Sequence, residues 1–457
     1  MRTEALTAFK RCCDAVSPVA CVERALRLSD DQLIVSSAST LLSLPITKAT
    51  RFVLTAFGKA SVPMALAAEQ QLGERFHDGT VIAQSSLAGR DLKLRSRVLY
   101  GAQNNLPDSD SVAGTREALR CIERNDGTDV IFLFLISGGG SALFCAPEGV
   151  TLAEKLSVIQ KLTSNGADIR VLNAFRQKLS AVKGGKVLNF VKQGRVVSLL
   201  ISDLIDDLTQ FIASGPTIPA NDSIKETAEA ILTSPKWLPL LPDKIKAIIE
   251  DSSPPAPPPV EPHNIIIASN RHALNELDRY LTSIGYESHI VTTRLEGNAA
   301  ELGRRFAQLI TSEKSQIPEI LKSFGLEDEV SLGDKVALLF GGETTVVLQG
   351  NGKGGRCQEM VLSCFTQIAS TEVPPSPFLF LAAGTDGQDG PTDAAGALIT
   401  NEDVMSDAEV EQANECLNTS NSYEFWCGYN YGRNHIKTGP TGTNVMDIQI
   451  VLIHFNR

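Results

Sequence analysis

Ile131-Phe132-Leu133-Phe134-Leu135-Ile136-Ser137-Gly138-Gly139-Gly140-Ser141 joins six consecutive apolar residues directly to three glycines flanked by serines. A short, wholly apolar run bounded by glycine reads as a central strand of a parallel sheet, buried on both faces. In open α/β sheets, ligands bind beyond the carboxyl ends of such strands. Glycines there let a ligand approach the backbone, and successive N–H groups form a nest for an anion. The stretch therefore predicts an α/β protein with an anion site at Ser137, Gly138, Gly139, Gly140 and Ser141.

The same grammar recurs along the chain. Arg51–Phe57 is a strand ending at Gly58-Lys59, and a lysine at a strand end suits a point-charge clamp on phosphate or carboxylate. Strands follow near Thr80–Ala83 and Val98–Tyr100, then helices over Thr151–Asn165 and Arg176–Leu188. Val196–Ile201 is a second wholly apolar strand and ends at Ser202-Asp203. Its aspartate has the chemistry to bind magnesium or to accept a substrate proton. Alternating strands and helices indicate βαβ units and a parallel sheet.

Six of the twelve residues from Asp251 to Pro262 are proline, which excludes helix and central strand. Residues 253–262 are accordingly predicted as a linker between an N-terminal domain, 1–252, and a C-terminal domain, 263–457. A new strand begins at Asn264. A helix over Arg271–Ile284 and strands at Ser288–Thr292, Val336–Phe340, Thr344–Leu348, Pro377–Ala382 and Ile448–Phe455 complete a second α/β unit.

Gly350-Asn351-Gly352-Lys353-Gly354-Gly355 matches the G-x-G-x-x-G pattern between a strand and a helix starting at Arg356. The dinucleotide fingerprint needs an acidic residue about 20 residues further on. Here the first acidic residue at the next strand end, Asp386, is 31 residues past Gly355. Lys353 and Arg356 make the loop cationic, which suits phosphate or a carboxylate better. Asp386, Asp389 and Asp393 lie within eight residues and are hard oxygen ligands of the kind magnesium takes. Thr438, Gly439 and Thr441 belong to a small, hydroxyl-rich loop fit for phosphate. There is no Walker sequence, no G-x-S-x-G elbow and no nucleophile–histidine pair, and the one histidine beside a candidate loop, His435, reads as structural. The inventory is that of phosphoryl transfer, where positioning and charge neutralisation carry the reaction.

A net charge of −11 disfavours nucleic acid and anionic membranes as partners. Nine cysteines without a CxxC pair fit a reducing compartment. No apolar run approaches the roughly 18 residues of a membrane span. Ala5–Leu28 reads as an amphipathic first helix beginning almost at Met1, so the expected location is cytoplasmic, with a mitochondrial form from a longer start as the alternative.

Taken together, Phe57-Gly58-Lys59, Ser137–Leu143, Asn173–Ser180 with Lys183-Gly184-Gly185, Ser202-Asp203, Ala213–Thr217, Asn270-Arg271, Gly341–Val346, Gly354-Gly355-Arg356, Thr385–Ala397 and Thr438–Asn444 resemble the class II glycerate kinases, also called the MOFRL family. The resemblance implies a larger Rossmann-like N-terminal domain and a smaller α/β domain whose MOFRL region spans about 336–457, with the active site in a cleft between them. It implies ATP-dependent phosphorylation of D-glycerate, usually at the 2-hydroxyl, with Mg2+. Relatives labelled hydroxypyruvate reductase make NAD(P)H chemistry the alternative, beside a non-catalytic nucleotide-binding module. The family's lysine and arginine match Lys59 and Arg356.

On this reading Lys59 and Arg356 neutralise the transferring phosphoryl group. The Ser137–Ser141 nest, Gly354, Gly355, Thr438, Gly439 and Thr441 hold nucleotide phosphate, with glycerate carboxylate as the other candidate for the nest. Arg176, Lys183 and Ser214 reach substrate. Asp203 or Asp386 serves as base, and Asp203, Asp386 and Asp389 are the metal candidates. A homodimer is a further expectation. Three positions depart from the usual pattern: Cys357 follows the arginine in place of asparagine, Asp206 replaces a frequent glycine, and Gln177 stands where a basic residue is common.

Overall fold

The computed structural model describes the chain except for residues 39, 104–105, 220–221, 251–257, 327, 372–375 and 456–457. The first half of the expected linker, 253–257, lies outside the described residues.

Two compact units are present. One is contiguous, Pro18–Ile267. The other joins Met1–Ser17 to Ala268–Arg457. The expected boundary thus differs at both ends. The strand at Asn264, assigned from sequence to the second domain, is the last strand of the first sheet, and the first helix belongs with the C-terminal half.

In the contiguous unit, β1 (Leu26–Leu28), β2 (Gln32–Ser36) and β3 (Leu41–Pro45) form a small antiparallel sheet. The main sheet contains β4 (Arg51–Phe57), β5 (Phe76–Gln84), β6 (Arg97–Gly101), β7 (Val130–Ile136), β8 (Arg195–Ile201) and β9 (Pro262–Ala268). Their order is β6-β5-β4-β7-β8-β9, and the pairs from β6 through β8 are parallel. Numbered within this sheet, the order is 3-2-1-4-5-6, that of dinucleotide-binding α/β folds. The order reverses between β4 and β7, so the switch-point crevice lies where Gly58-Lys59 and Ser137–Ser141 emerge. Every residue of β7 is buried, which explains its unbroken apolar run. Phe57 stacks on Phe144 with ring centroids 4.2 Å apart, packing the loop after β7 onto the end of β4.

Two helix expectations needed correction. The helix expected over Arg176–Leu188 is instead Ile169–Lys178, followed by a turn in which Gly184 and Gly185 have φ of 61° and 80°, and then a short 3-10 segment, Lys186–Phe190. Two successive left-handed glycines cannot continue a helix. The amphipathic N-terminus is two helices, Arg2–Ala15 and Pro18–Ala25, because Pro18 has no N–H to extend the first.

The second unit holds a mixed sheet of β10 (Glu287–Leu295), β11 (Lys335–Gly342), β12 (Phe378–Gly384), β13 (Gly396–Thr400), β14 (His435–Ile436) and β15 (Asp447–His454). Its order is β10-β11-β15-β12-β13-β14, and only β10–β11 is parallel. Thr344–Leu348 is not the expected strand: Thr345 forms one isolated bridge to Asn298, and Val347 and Leu348 are exposed. Phe306 packs against Phe324, Phe340 and Phe380 at the centre of this core. The N-terminal helix is fastened here by the Tyr286 hydroxyl donating to Glu4 at 2.8 Å, an Arg11–Glu276 pair at 3.4 Å and the Thr443 hydroxyl donating to Val16 O at 2.8 Å. No helix among the described residues is long and apolar enough to cross a membrane.

Candidate active site

The switch point is built from three strand ends. Lys59 N–H donates to Gly138 O at 2.9 Å, and Ala60 N–H donates to Ser137 Oγ at 3.0 Å, locking the β4 and β7 loops together. Ser137 therefore serves the loop itself rather than a ligand. Gly138 and Gly139 are glycine for want of room. A Cβ on Gly138 would lie 2.0 Å from Asp203 Oδ2, and one on Gly139, whose φ is +75°, would lie 3.2 Å from Lys59 Cγ. The aspartate and the lysine thus flank adjacent residues of one loop. Lys59 is exposed, and its ammonium has no ion-pair partner among the described residues. Burial pushes the Asp203 carboxyl above its ordinary value, against the pull of Lys59.

Behind the loop, the buried Lys183 ammonium donates to Ser141 O at 2.9 Å, Ser141 Oγ at 3.0 Å and Ala213 O at 3.2 Å. Ser214 Oγ lies 3.1 Å from Ser141 Oγ and donates to Asn173 Oδ1 at 2.7 Å. Ala213, Ser214 and Gly215 have φ of 51°, 65° and 62°, so two non-glycine residues are held in the left-handed region. Such strain persists only where surrounding bonds over-determine it. Here Gln177 Nε2 donates to Ser214 O at 3.2 Å, which is why a glutamine serves at that position. Asp206, with φ +65°, occupies a conformation that suits the glycine common in the family.

In the other unit, Arg356 opens the helix Arg356–Ala369. Its Nε donates to Asp447 Oδ2 at 2.5 Å, its Nη2 to Asp447 Oδ1 at 2.9 Å, and its Nη1 lies 3.0 Å from Glu343 Oε1. Burial alone would lower its pKa, but the bidentate Asp447 contact more than offsets that and holds the guanidinium charged.

Asp389 has a different role from the expected metal ligand. It accepts from Cys357 N–H at 3.1 Å, Gln358 N–H at 2.9 Å and Gln358 Nε2 at 3.0 Å, capping the helix that Arg356 starts. A Cβ on Gly355 would lie 2.2 Å from that carboxyl. The anion at this helix N-terminus is therefore Asp389, and Gly355 is glycine to admit it, not a phosphate. Gly354 likewise packs against Ser422, whose Oγ would lie 2.3 Å from a Cβ there. His435 Nε2 lies 3.0 Å from Gln358 Oε1, and burial lowers its pKa to about 4, so the neutral ring supports the capping glutamine.

Asp386 Oδ1 accepts from Gln388 N–H at 3.0 Å, and Thr441 N–H donates to Asp386 O at 3.2 Å. Thr441 Oγ1 donates to Thr385 O at 2.6 Å, and Thr438 Oγ1 donates to Gly439 O at 2.8 Å, so both hydroxyls serve their own loops. No group of three or more His, Cys, Asp or Glu among the described residues is arranged to hold a metal ion. Sequence reasoning missed Asp447, Lys155 and Asn173: the first hides in a strand otherwise apolar, and the other two look like ordinary helix-surface residues.

A glycine loop at the switch point of a 3-2-1-4-5-6 sheet, flanked by a free lysine and a buried aspartate, defines a protein of the nucleotide-handling α/β class. Residues 4–250 match DUF4147, a domain of unknown function, and residues 336–447 match the MOFRL family. Glycerate kinase of Rattus norvegicus is 35% identical, with 98% of this chain and 92% of that protein covered. Glycerate 2-kinase of Pyrococcus horikoshii is 34% identical over 97% of this chain and 95% of that protein. The crystal structure of glycerate kinase from Thermotoga maritima superposes with a TM-score of 0.78 at 29% identity, covering 99% of both chains. The chain belongs to the glycerate kinase (MOFRL) family.

Proposed function

We propose that the protein transfers the γ-phosphoryl group of ATP to the 2-hydroxyl of D-glycerate, giving 2-phosphoglycerate and ADP. The observation that carries this reading is the placement of Lys59 and Asp203 on either side of the Gly138–Gly139 loop. The loop's backbone receives an anion, and the Lys59 ammonium neutralises charge on the phosphoryl oxygens. Asp203, with its raised pKa, takes the proton of the attacking hydroxyl. Arg356 supplies a second neutralising cation. The names of the rat and archaeal relatives support the substrate assignment.

Asp203 and Asp386 each offer carboxylate oxygen suited to magnesium, and neither is joined by enough further acidic residues to cage the ion alone. That fits an ion brought in on nucleotide phosphates and held by one carboxylate. Such an ion neutralises the β- and γ-phosphate oxygens.

The test is turnover of Mg-ATP with D-glycerate, with the product passed directly to enolase. Enolase-dependent signal supports the 2-phosphate. Phosphorylation without that signal moves the product to the 3-position. NADH oxidation with hydroxypyruvate and no phosphorylation overturns the kinase reading.

A further inference from the structure

Three cations surround a cavity of about 30 Å³ behind the glycine loop: Lys155, Arg176 and Lys183, with Ser141 and Cys145 also in its wall. Lys155 is 3% exposed and Lys183 1%. Lys155 Nζ donates to Leu179 O at 3.1 Å and Arg176 O at 3.5 Å, and all the acceptors of Lys183 are likewise neutral oxygens. No carboxylate pairs with any of the three among the described residues, and the Arg176 guanidinium makes no hydrogen bond there. Buried charges are ordinarily paired, so three unpaired cations around one void imply an anion. A second observation agrees. The amide nitrogen of Asn173, itself 2% exposed, has no acceptor, although its oxygen is held by Ser214 beside Ser141.

We propose that this cavity seats the carboxylate of the substrate acid, with Lys155, Arg176 and Lys183 as its counter-charges. The inference rests on the reading of the protein as a hydroxy-acid kinase. Size selects the anion. A water needs about 10–15 Å³ of such volume, so the cavity holds two to three heavy atoms, the content of a carboxylate and less than a phosphate. Arginine provides the planar fork that a carboxylate accepts in two bonds. Because Ser141 belongs both to the cavity wall and to the glycine loop, an acid seated here leaves the loop's other glycines to the phosphoryl donor. Lys155 thereby becomes a specificity-determining residue. Burial, reinforced by Lys155 and Arg176, lowers the pKa of Lys183, as a cation lacking its partner should show.

The test uses the full chain. In wild-type protein, sodium glycolate should raise the thermal unfolding midpoint in a saturable way, while ethylene glycol, the same size without the charge, should not. Lys155→Met should raise KM for D-glycerate about 10- to 100-fold, the range for a lost bond to a charged group, with KM for ATP within about twofold. Lys155→Arg should recover most of the loss, which a purely structural role would not require. Protection by inorganic phosphate but not glycolate overturns the proposal, as does an unchanged glycerate KM in folded Lys155→Met. If D-glycerate is not phosphorylated at all, yet glycolate protects wild type and not Lys155→Met, the kinase reading fails and the carboxylate site stands.

Discussion

Asp203 Oδ2 lies against Gly138 so closely that a methyl group on that glycine would sit 2.0 Å away. Gly138→Ala would force the carboxylate out of its place beside the loop. Displacing a reacting group by about 1 Å costs on the order of 10²-fold in rate. We expect kcat of Gly138→Ala to fall by about that factor. Combined with Asp203→Asn, it should add little, because both remove the same positioned carboxylate. Steady-state kinetics of the two single variants and the double variant check this.

Lys59→Ala should lose 10²–10³ in kcat, about 2.7–4 kcal/mol, as for other charge-stabilising donors. The side chain is exposed and unpaired, so the unfolding midpoint should not move. Near-wild-type turnover by the folded variant would remove Lys59 from the mechanism.

The Arg356–Asp447 pair predicts a loss of stability. Asp447 is 1% exposed and holds Arg356 through two bonds. Breaking a buried pair typically costs about 3–5 kcal/mol. Asp447→Asn should fall in or just below that range in urea unfolding, since Glu343 still faces the guanidinium. Glu343→Gln, at a half-exposed position, should change stability by under about 1 kcal/mol.

Glu359 predicts a pH effect. Burial, and then the nearby Asp389, push its pKa up to about 7. The unfolded carboxyl titrates near 4.5, so between these values the native state holds a proton that the unfolded state has released. Its contribution is complete below the unfolded value and is lost as pH rises through about 7. Glu359→Gln, which cannot ionise, should match wild type near pH 4.5 and exceed it at pH 8 by on the order of 1–2 kcal/mol, allowing for partial solvent contact. Denaturant midpoints at the two pH values decide this, and an equal difference at both would show that ionisation plays no part.

The switch-point loop was legible because parallel central strands need unbroken apolar runs, and Ile131–Ile136 and Val196–Ile201 both have them. Lys59 and Asp203 followed from their places at strand ends. Gly354-Gly355 and Asp389 were misread because a glycine that admits a protein carboxylate leaves the same sequence trace as one that admits a phosphate. Thr344–Leu348 carries a strand's residues, but strand formation depends on a partner edge, and none pairs along it beyond Thr345. The Lys155 cavity was invisible from sequence: it brings together residues from separate helices and turns, and only three-dimensional packing reveals the absence of a counter-charge.

The attachment of Met1–Ser17 to the unit formed by Ala268–Arg457 has a consequence for biosynthesis. The first helix to leave the ribosome must wait while roughly 250 residues are made, about 12–50 s at ordinary elongation rates, before its partners begin to appear. During that interval the intervening unit, contiguous in sequence, is free to fold, while the apolar side of the helix, with Ala5, Ala8, Phe9 and Cys12, stays uncovered. Chaperone capture of nascent chains should therefore fall on these leading residues, and a protein expressed without them would lack the helix that receives the Thr443 hydroxyl bond at Val16.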